Sequence, residues 1–143
     1  MIPPADQAPR PGSARPDKPG PILVIEDELD LRTTYERLLR HMHYEVITAE
    51  RGTDGLRIAQ SQRIRLIVTD LRLPDMDGIA LIRALRAVAD PPPIIVASGF
   101  DAAATRRTAL EAGAIAYLTK PFSLATLKAL IQDMVERLDD TVS

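Results

Sequence analysis

With 143 residues and no cysteine, the chain is one domain by length, and a disulfide framework, a thiolate metal site and a thiol nucleophile are excluded. A formal charge of -2 and a pI near 5.7 give no electrostatic footprint for nucleic acid or an anionic membrane, so neither is expected as a direct partner. No apolar run approaches the length of a membrane span and the N-terminus lacks the apolar core of a signal peptide, which fits a cytoplasmic protein.

The first twenty-one residues hold seven of the twelve prolines and one large aliphatic residue, Ile2. Such a segment cannot bury enough apolar surface to offset the entropy of ordering it, so residues 1–20 are expected to form a disordered Pro-rich tail or linker. A Pro-rich ligand for a partner domain is the sharper alternative, weakened because PxxP matches arise by chance in this composition.

From Pro21 the character changes. Ile22 to Ile25 is a continuous apolar run that suits a buried strand, and Glu26, Asp27 and Glu28 follow it. Leu31, Tyr35, Leu38, Leu39 and Met42 then recur at helical spacing. Tyr44 to Ala49 reads as a second strand, and Thr53 can cap a short helix that Gly55 weakens in its first turn. Leu66 to Thr69 is too short for a helix and apolar enough for a strand buried on both faces; Asp70 stands at its end, before a loop made by Pro74, Asp75, Asp77 and Gly78. A helix from about Ile79 to Ala89 ends at Pro91 to Pro93, and Ile94 to Ala97 is a fourth strand finishing in Ser98-Gly99. Ala102 to Ala112 is helical by propensity with little large apolar surface beyond Leu110, which marks it as the loosest helix, and Gly113 closes it. Ile115 to Thr119 is a fifth strand, ending in Lys120-Pro121. Ser123 caps a last helix whose stripe runs through Leu124, Leu127, Leu130, Ile131, Met134, Val135 and Leu138. Five strands alternating with five helices over short loops predict a doubly wound α/β domain over 21–140, a (βα)5 parallel sheet covered on both faces.

Parallel strands put their C-terminal ends on one edge, where open α/β sheets bind ligands. Glu26, Asp27, Asp70, Ser98 and Lys120 all fall there. Three carboxylates cannot share a small volume as anions without a countercharge, since each raises the others' pKa. Hard oxygen donors suit Mg²⁺, which pairs readily with phosphoryl oxygens. Lys120 and Ser98 would meet the remaining oxygens of a phosphoryl group held on Asp70.

The segments VIEDE at 24–28, TDLRLPDMDG at 69–78, VASGF at 96–100 and EAGAIAYLTKPF at 111–122 resemble the receiver domain of two-component response regulators over residues 20–140. The resemblance implies a flavodoxin-like sheet of order 2-1-3-4-5. It also implies that Asp70 accepts phosphate from a phosphohistidine on a sensor histidine kinase or histidine phosphotransfer protein. By position, Asp27 would bind Mg²⁺ directly and Glu26 through water, with the Arg72 backbone carbonyl as a further ligand. Ser98 and Lys120 would contact the phosphoryl group, Ser98 and Tyr117 would form the switch, and the Lys120-Pro121 bond would be cis. Glu26 stands where the family often has Asp, Ser98 where Thr is commoner, and Gly99 where Ala is commoner. The last two remove β-branching and a Cβ from a loop that must move, so a softer switch is expected.

Other signals favour plainer readings. Aligning Gly78 to the glycine of a calcium loop puts Leu73 first and Ala84 last, neither a usable ligand. His41 and His43, at the end of the first helix, suit the helix dipole and structural or surface roles. Taken apart from the resemblance, Tyr117 would be an ordinary strand aromatic, half buried with its hydroxyl wet.

The expected function is therefore a signalling phosphoacceptor and not a turnover enzyme, self-phosphorylating from small donors and slowly losing the group again. Nothing else in the chain calls for a cofactor besides Mg²⁺. The competing class is a flavodoxin-like small-molecule binder, against which stands the absence of a Gly-rich loop after the first strand. The chain ends soon after the last helix, so no output domain is expected. Output is then expected through the fourth helix, fifth strand and fifth helix, to a protein partner or a second copy in a homodimer. The terminal receiver of a hybrid histidine kinase is the rival, with 1–20 as its linker.

Overall fold

The computed structural model describes residues 20–99 and 103–142, and side chains as far as Arg137. The Pro-rich tail, Phe100, Ala102 and the Leu138 side chain, on which parts of the reading above fall, lie outside that range. The elements are β1 (Ile22–Ile25), α1 (Leu29–His41), β2 (Val46–Ala49), α2 (Gly52–Ser61), β3 (Leu66–Thr69), α3 (Gly78–Arg86), β4 (Ile94–Ser98), α4 (Ala103–Ala112), β5 (Ala116–Thr119) and α5 (Leu124–Val142). The five strands form one parallel sheet in the order β2-β1-β3-β4-β5, as the resemblance implied.

Period-two alternation splits β1 between two cores. Leu23 and Ile25 face a layer with Ile67, Leu81, Ile82, Leu85, Val96 and Tyr117, under α2, α3 and α4. Ile22 and Val24 face the other, with Tyr35, Leu39, Val68, Leu127 and Ile131, under α1 and α5. A strand buried on both faces must be apolar throughout, which is why β1, β3 and β4 read as continuous runs. Each fully buried Leu or Ile stabilises the fold by about 2 kcal/mol, so the sheet is the rigid frame of the molecule.

Helix ends follow local chemistry at α3, α4 and α5. The Asp77 carboxylate accepts from Ala80 N at 3.0 Å and caps α3. Ser123 Oγ accepts from Thr126 N at 3.1 Å and caps α5 as expected. Gly113, at φ 127°, closes α4. α2 departs from the expectation that Thr53 caps it. The residue before the helix, Arg51, makes no side-chain cap, and the Gly52 and Thr53 N–H groups donate instead to Asp75, more than twenty residues on. Gly55 also has a packing purpose: a Cβ there would lie 2.3 Å from Ile25 Cδ1.

Boundaries shift by a few residues. α3 ends at Arg86 and not near Ala89, because the Ala87 N–H bonds back to the Ala84 carbonyl and the Val88 N–H to the Leu85 carbonyl, three residues back in each case, which tightens the last turn. β2 and β5 begin at Val46 and Ala116, later than Tyr44 and Ile115. In α4 the fully buried residue is Ala109 while Leu110 is exposed, so the helix rests on small side chains.

Candidate functional site

The sheet register builds the site. Ile25 pairs with Ala49 and Thr69, and Ser98 pairs with Thr119, so the residues that follow β1, β3 and β5 come out on one edge with Ser98. The ladder continues for one step: Glu26 N donates to Ala49 O at 3.0 Å, Asp70 N to Ile25 O at 3.1 Å and Lys120 N to Ser98 O at 2.7 Å. Glu26, Asp70 and Lys120 are thereby held by backbone bonds before any side chain acts.

Lys120 Nζ donates to Glu26 Oε1 and to Asp70 Oδ2, each at 2.9 Å. The other Asp70 oxygen, Oδ1, accepts from Arg72 N at 3.1 Å, and Glu26 Oε2 accepts from Glu28 N at 3.2 Å. Both buried carboxylates are thus fixed at both oxygens. Asp27 completes the group from an exposed position, and one ligand oxygen from each of Glu26, Asp27 and Asp70 lies within 4.8 Å of the others. The Arg32 guanidinium, from the first turn of α1, donates to the carbonyls of Glu26 and Asp27 at 2.9 and 3.3 Å and pins the loop that presents Asp27.

Burial pushes the Glu26 carboxyl above its ordinary value, against the downward pull of its bond to Lys120. Burial also opposes the charge on Lys120, but its bonds to Asp70 and Glu26 outweigh that and hold it above an ordinary lysine. The asymmetry arises because one ammonium serves two carboxylates and Glu26 is the deeper. Three carboxylates against one ammonium leave the cluster two charges short of neutral. A hard divalent cation fits these donors and that deficit.

Ser98 is fully buried at the end of β4. Tyr117 is buried as well, not half buried, with the Arg106 guanidinium 5.0 Å from its ring centroid. Arg106 also donates to Thr119 Oγ1 at 3.2 Å and so ties α4 to β5. The Lys120-Pro121 bond is cis. The structure therefore brings together Glu26, Asp27, Asp70, Lys120 and Ser98, places Arg72 at the rim, and sets Tyr117 one strand away. It adds Arg32 and Arg106, which no periodicity or spacing in the sequence singles out, and gives Asp75, read in the sequence only as a loop residue, a bond to the start of α2.

A family model for the response regulator receiver domain matches residues 22–132. The chain belongs to that family. It is 38% identical over 122 residues to the transcriptional regulatory protein PrrA of Mycobacterium tuberculosis, an overlap of 85% of this chain and 52% of that protein. It is 38% identical over 118 residues to the probable transcriptional regulator ycf27 of Porphyra purpurea, covering 82% of this chain and 48% of that one. The chain thus spans about half the length of the curated relatives it matches. Among solved structures, the receiver domain of a sensor histidine kinase from Pseudomonas aeruginosa, with a magnesium ion coordinated in its active site cleft, is 34% identical with a TM-score of 0.74, covering 80% of this chain and 96% of that one. A CheY-like receiver domain from Methanospirillum hungatei is 26% identical with a TM-score of 0.78, covering 85% and 97%. The sheet order and the family agree, and the domain is a two-component signalling module. No helix among the described residues is long and apolar enough to cross a membrane.

Proposed function

We propose that this receiver domain accepts a phosphoryl group on Asp70 from a phosphohistidine of a sensor histidine kinase or histidine phosphotransfer protein, in the cytoplasm. The observation that carries the reading is Lys120 Nζ held between Glu26 and Asp70, with three carboxylates gathered around one point. An Asp70 oxygen attacks phosphorus, the O–P bond forms as the P–N bond breaks, and the imidazole leaves with the electron pair and takes up a proton. Lys120 orients the carboxylate and supplies positive charge to the phosphoryl oxygens, and Ser98 provides a hydroxyl donor. Glu26, Asp27, Asp70 and the Arg72 carbonyl are the residues that would hold Mg²⁺, which supplies charge neutralisation when bound. The relative with magnesium in its cleft supports the same choice of ion.

Ser98 and Tyr117 are proposed as the switch pair, read out on the α4, β5 and α5 face by a protein partner or a second copy of the chain. Tyr117 is buried with the Arg106 guanidinium of α4 over its ring, so the change expected on phosphorylation includes what holds α4 against it. The test is labelling by acetyl phosphate with and without Mg²⁺. Labelling that needs Mg²⁺ and falls at least about tenfold in Lys120→Ala supports the reading. Labelling indifferent to both would show that the cluster is not the acceptor site. The kinase relative shows the fold in a sensor kinase and the PrrA relative in a transcription regulator, so an in-frame kinase core beside this gene would make the domain the receiver of a hybrid kinase.

A further inference from the structure

We propose that Asp75 is a positioning residue for the cation: its carboxylate moors the β3–α3 loop, which carries the Arg72 carbonyl, to the N-terminus of α2. The proposal rests on reading the carboxylate cluster as a Mg²⁺ site.

The loop from Asp70 to Gly78 is held at three points, each by an aspartate. At its start Asp70 Oδ1 accepts from Arg72 N. At its end Asp77 caps α3, and Arg72 and Asp77 form a short bridge across the loop. Asp75 supplies the middle mooring, accepting from Gly52 N at 2.8 Å and Thr53 N at 2.9 Å. These two donors are backbone groups of a helix end that Arg51 leaves without a side-chain cap, so the bond satisfies both partners. The contact is close as well as polar. A Cβ on Gly52 would lie 2.6 Å from Met76 Cγ and Sδ and 3.4 Å from Leu73 Cδ1, so residues on either side of Asp75 press on the helix.

α2 is itself registered against the sheet next to the site. Its Gly55 sits directly on Ile25, and Ile25 precedes Glu26. A continuous path therefore runs from one cation ligand, through Ile25 and α2, to Asp75 and the loop that carries another. With Asp75 truncated, the middle of the loop keeps only its apolar contacts with α2, and the Arg72 carbonyl is positioned by the Asp70 bond and the Asp77 bridge alone. Groups that orient ligands from behind in this way typically contribute roughly 10- to 100-fold to metal affinity.

The experiment is Mg²⁺ titration calorimetry on the full chain, alongside amide exchange of residues 52 and 53. Asp75→Ala should weaken Mg²⁺ binding by about tenfold. Asp75→Asn, which keeps one acceptor oxygen and the side-chain size, should fall between that and the wild type, and it carries the test if the alanine variant does not fold. Val135→Ala, a cavity variant in the opposite core, should leave Mg²⁺ affinity within about twofold while losing stability. Unchanged Mg²⁺ affinity in both Asp75 variants, with faster exchange at 52 and 53, would make Asp75 a helix cap and nothing more. A wild type whose Mg²⁺ binding survives Asp70→Asn unchanged would overturn the cation reading and this proposal together, whereas loss of binding in Asp70→Asn with none in Asp75→Ala overturns this proposal alone.

Discussion

At Asp75 the local bonds set a pH window. The Thr53 side chain and N–H, with the Gly52 N–H, hold the carboxyl at about 2 against an ordinary 3.8. A folded-state value below the unfolded one means the charged form favours folding: that contribution is fully present above about pH 3.8 and is lost as the pH falls toward 2. In urea denaturation at a series of pH values, the stability gap between wild type and Asp75→Asn should be constant above pH 4 and close by about pH 2. A gap that persists unchanged at pH 2 would assign the effect to the shape of the side chain and not its charge. Asp75 also marks the limit of what single residues disclose in sequence. Glu26, Asp27, Asp70, Ser98 and Lys120 were legible because each follows an apolar run whose end a reader can locate. Asp75, Arg32 and Arg106 act on groups that only the folded chain brings near, and their own neighbourhoods carry no sign of it.

Among the elements, α2 is where propensity misleads. Replacing a helical glycine by alanine normally gains about 1 kcal/mol, but at Gly55 the new Cβ would meet Ile25 Cδ1 and Cγ1 at 2.3 and 2.7 Å. Overpacking then exceeds the gain, and Gly55→Ala is expected to destabilise by about 1 kcal/mol net. At Gly78 the obstruction is backbone, with Leu71 Cα at 2.4 Å and its carbonyl oxygen at 2.6 Å. Main chain cannot turn aside as an Ile terminus can, so Gly78→Ala should cost about 3 kcal/mol, and the order of the two is readable in thermal unfolding. Gly55 as the more damaging site would contradict this account of how α2 and α3 seat on the sheet. The strands and their order of appearance were plain in the sequence because burial on both faces leaves no room for polar residues. The cap of α2 was not, since its donor and acceptor are more than twenty residues apart.

α4 is lightly anchored by large apolar side chains, and so is expected to be the element that yields most readily. Its single fully buried residue is Ala109, and its ties to β5 run through Arg106 on the Tyr117 ring and the Thr119 hydroxyl. A cation–π contact at such a site contributes roughly 0.5–1 kcal/mol, enough to bias the helix but not to lock it. Arg106→Ala should speed amide exchange across 104–112 by several-fold with little change in β4. Uniform protection in both proteins would place the looseness elsewhere. Composition points to this as the loosest helix, and the structure leaves its Leu110 exposed with Ala109 as the fully buried residue.

Over the whole molecule, the fold and the chemistry come from one arrangement. Five parallel strands in the order 2-1-3-4-5 carry their terminal residues to one edge, two apolar layers keep that edge rigid, and the cluster formed there holds three carboxylates against a single lysine. The family assignment agrees with this frame, and most of it could be read from the order of apolar runs and the polar residues that end them. How tightly the frame grips its loops could not, because that depends on glycine contacts and long-range caps. Asp70 is proposed as the residue whose carboxylate takes the phosphoryl group. That assignment is tested most directly by incubating the protein with acetyl phosphate and Mg²⁺, reducing the acyl phosphate with borohydride and mapping the modified peptide by mass spectrometry. One modified residue, Asp70, is expected, with no incorporation in Asp70→Asn. A phosphoryl group on Glu26, Asp27 or another residue in the wild type, or equal incorporation in Asp70→Asn, would contradict it.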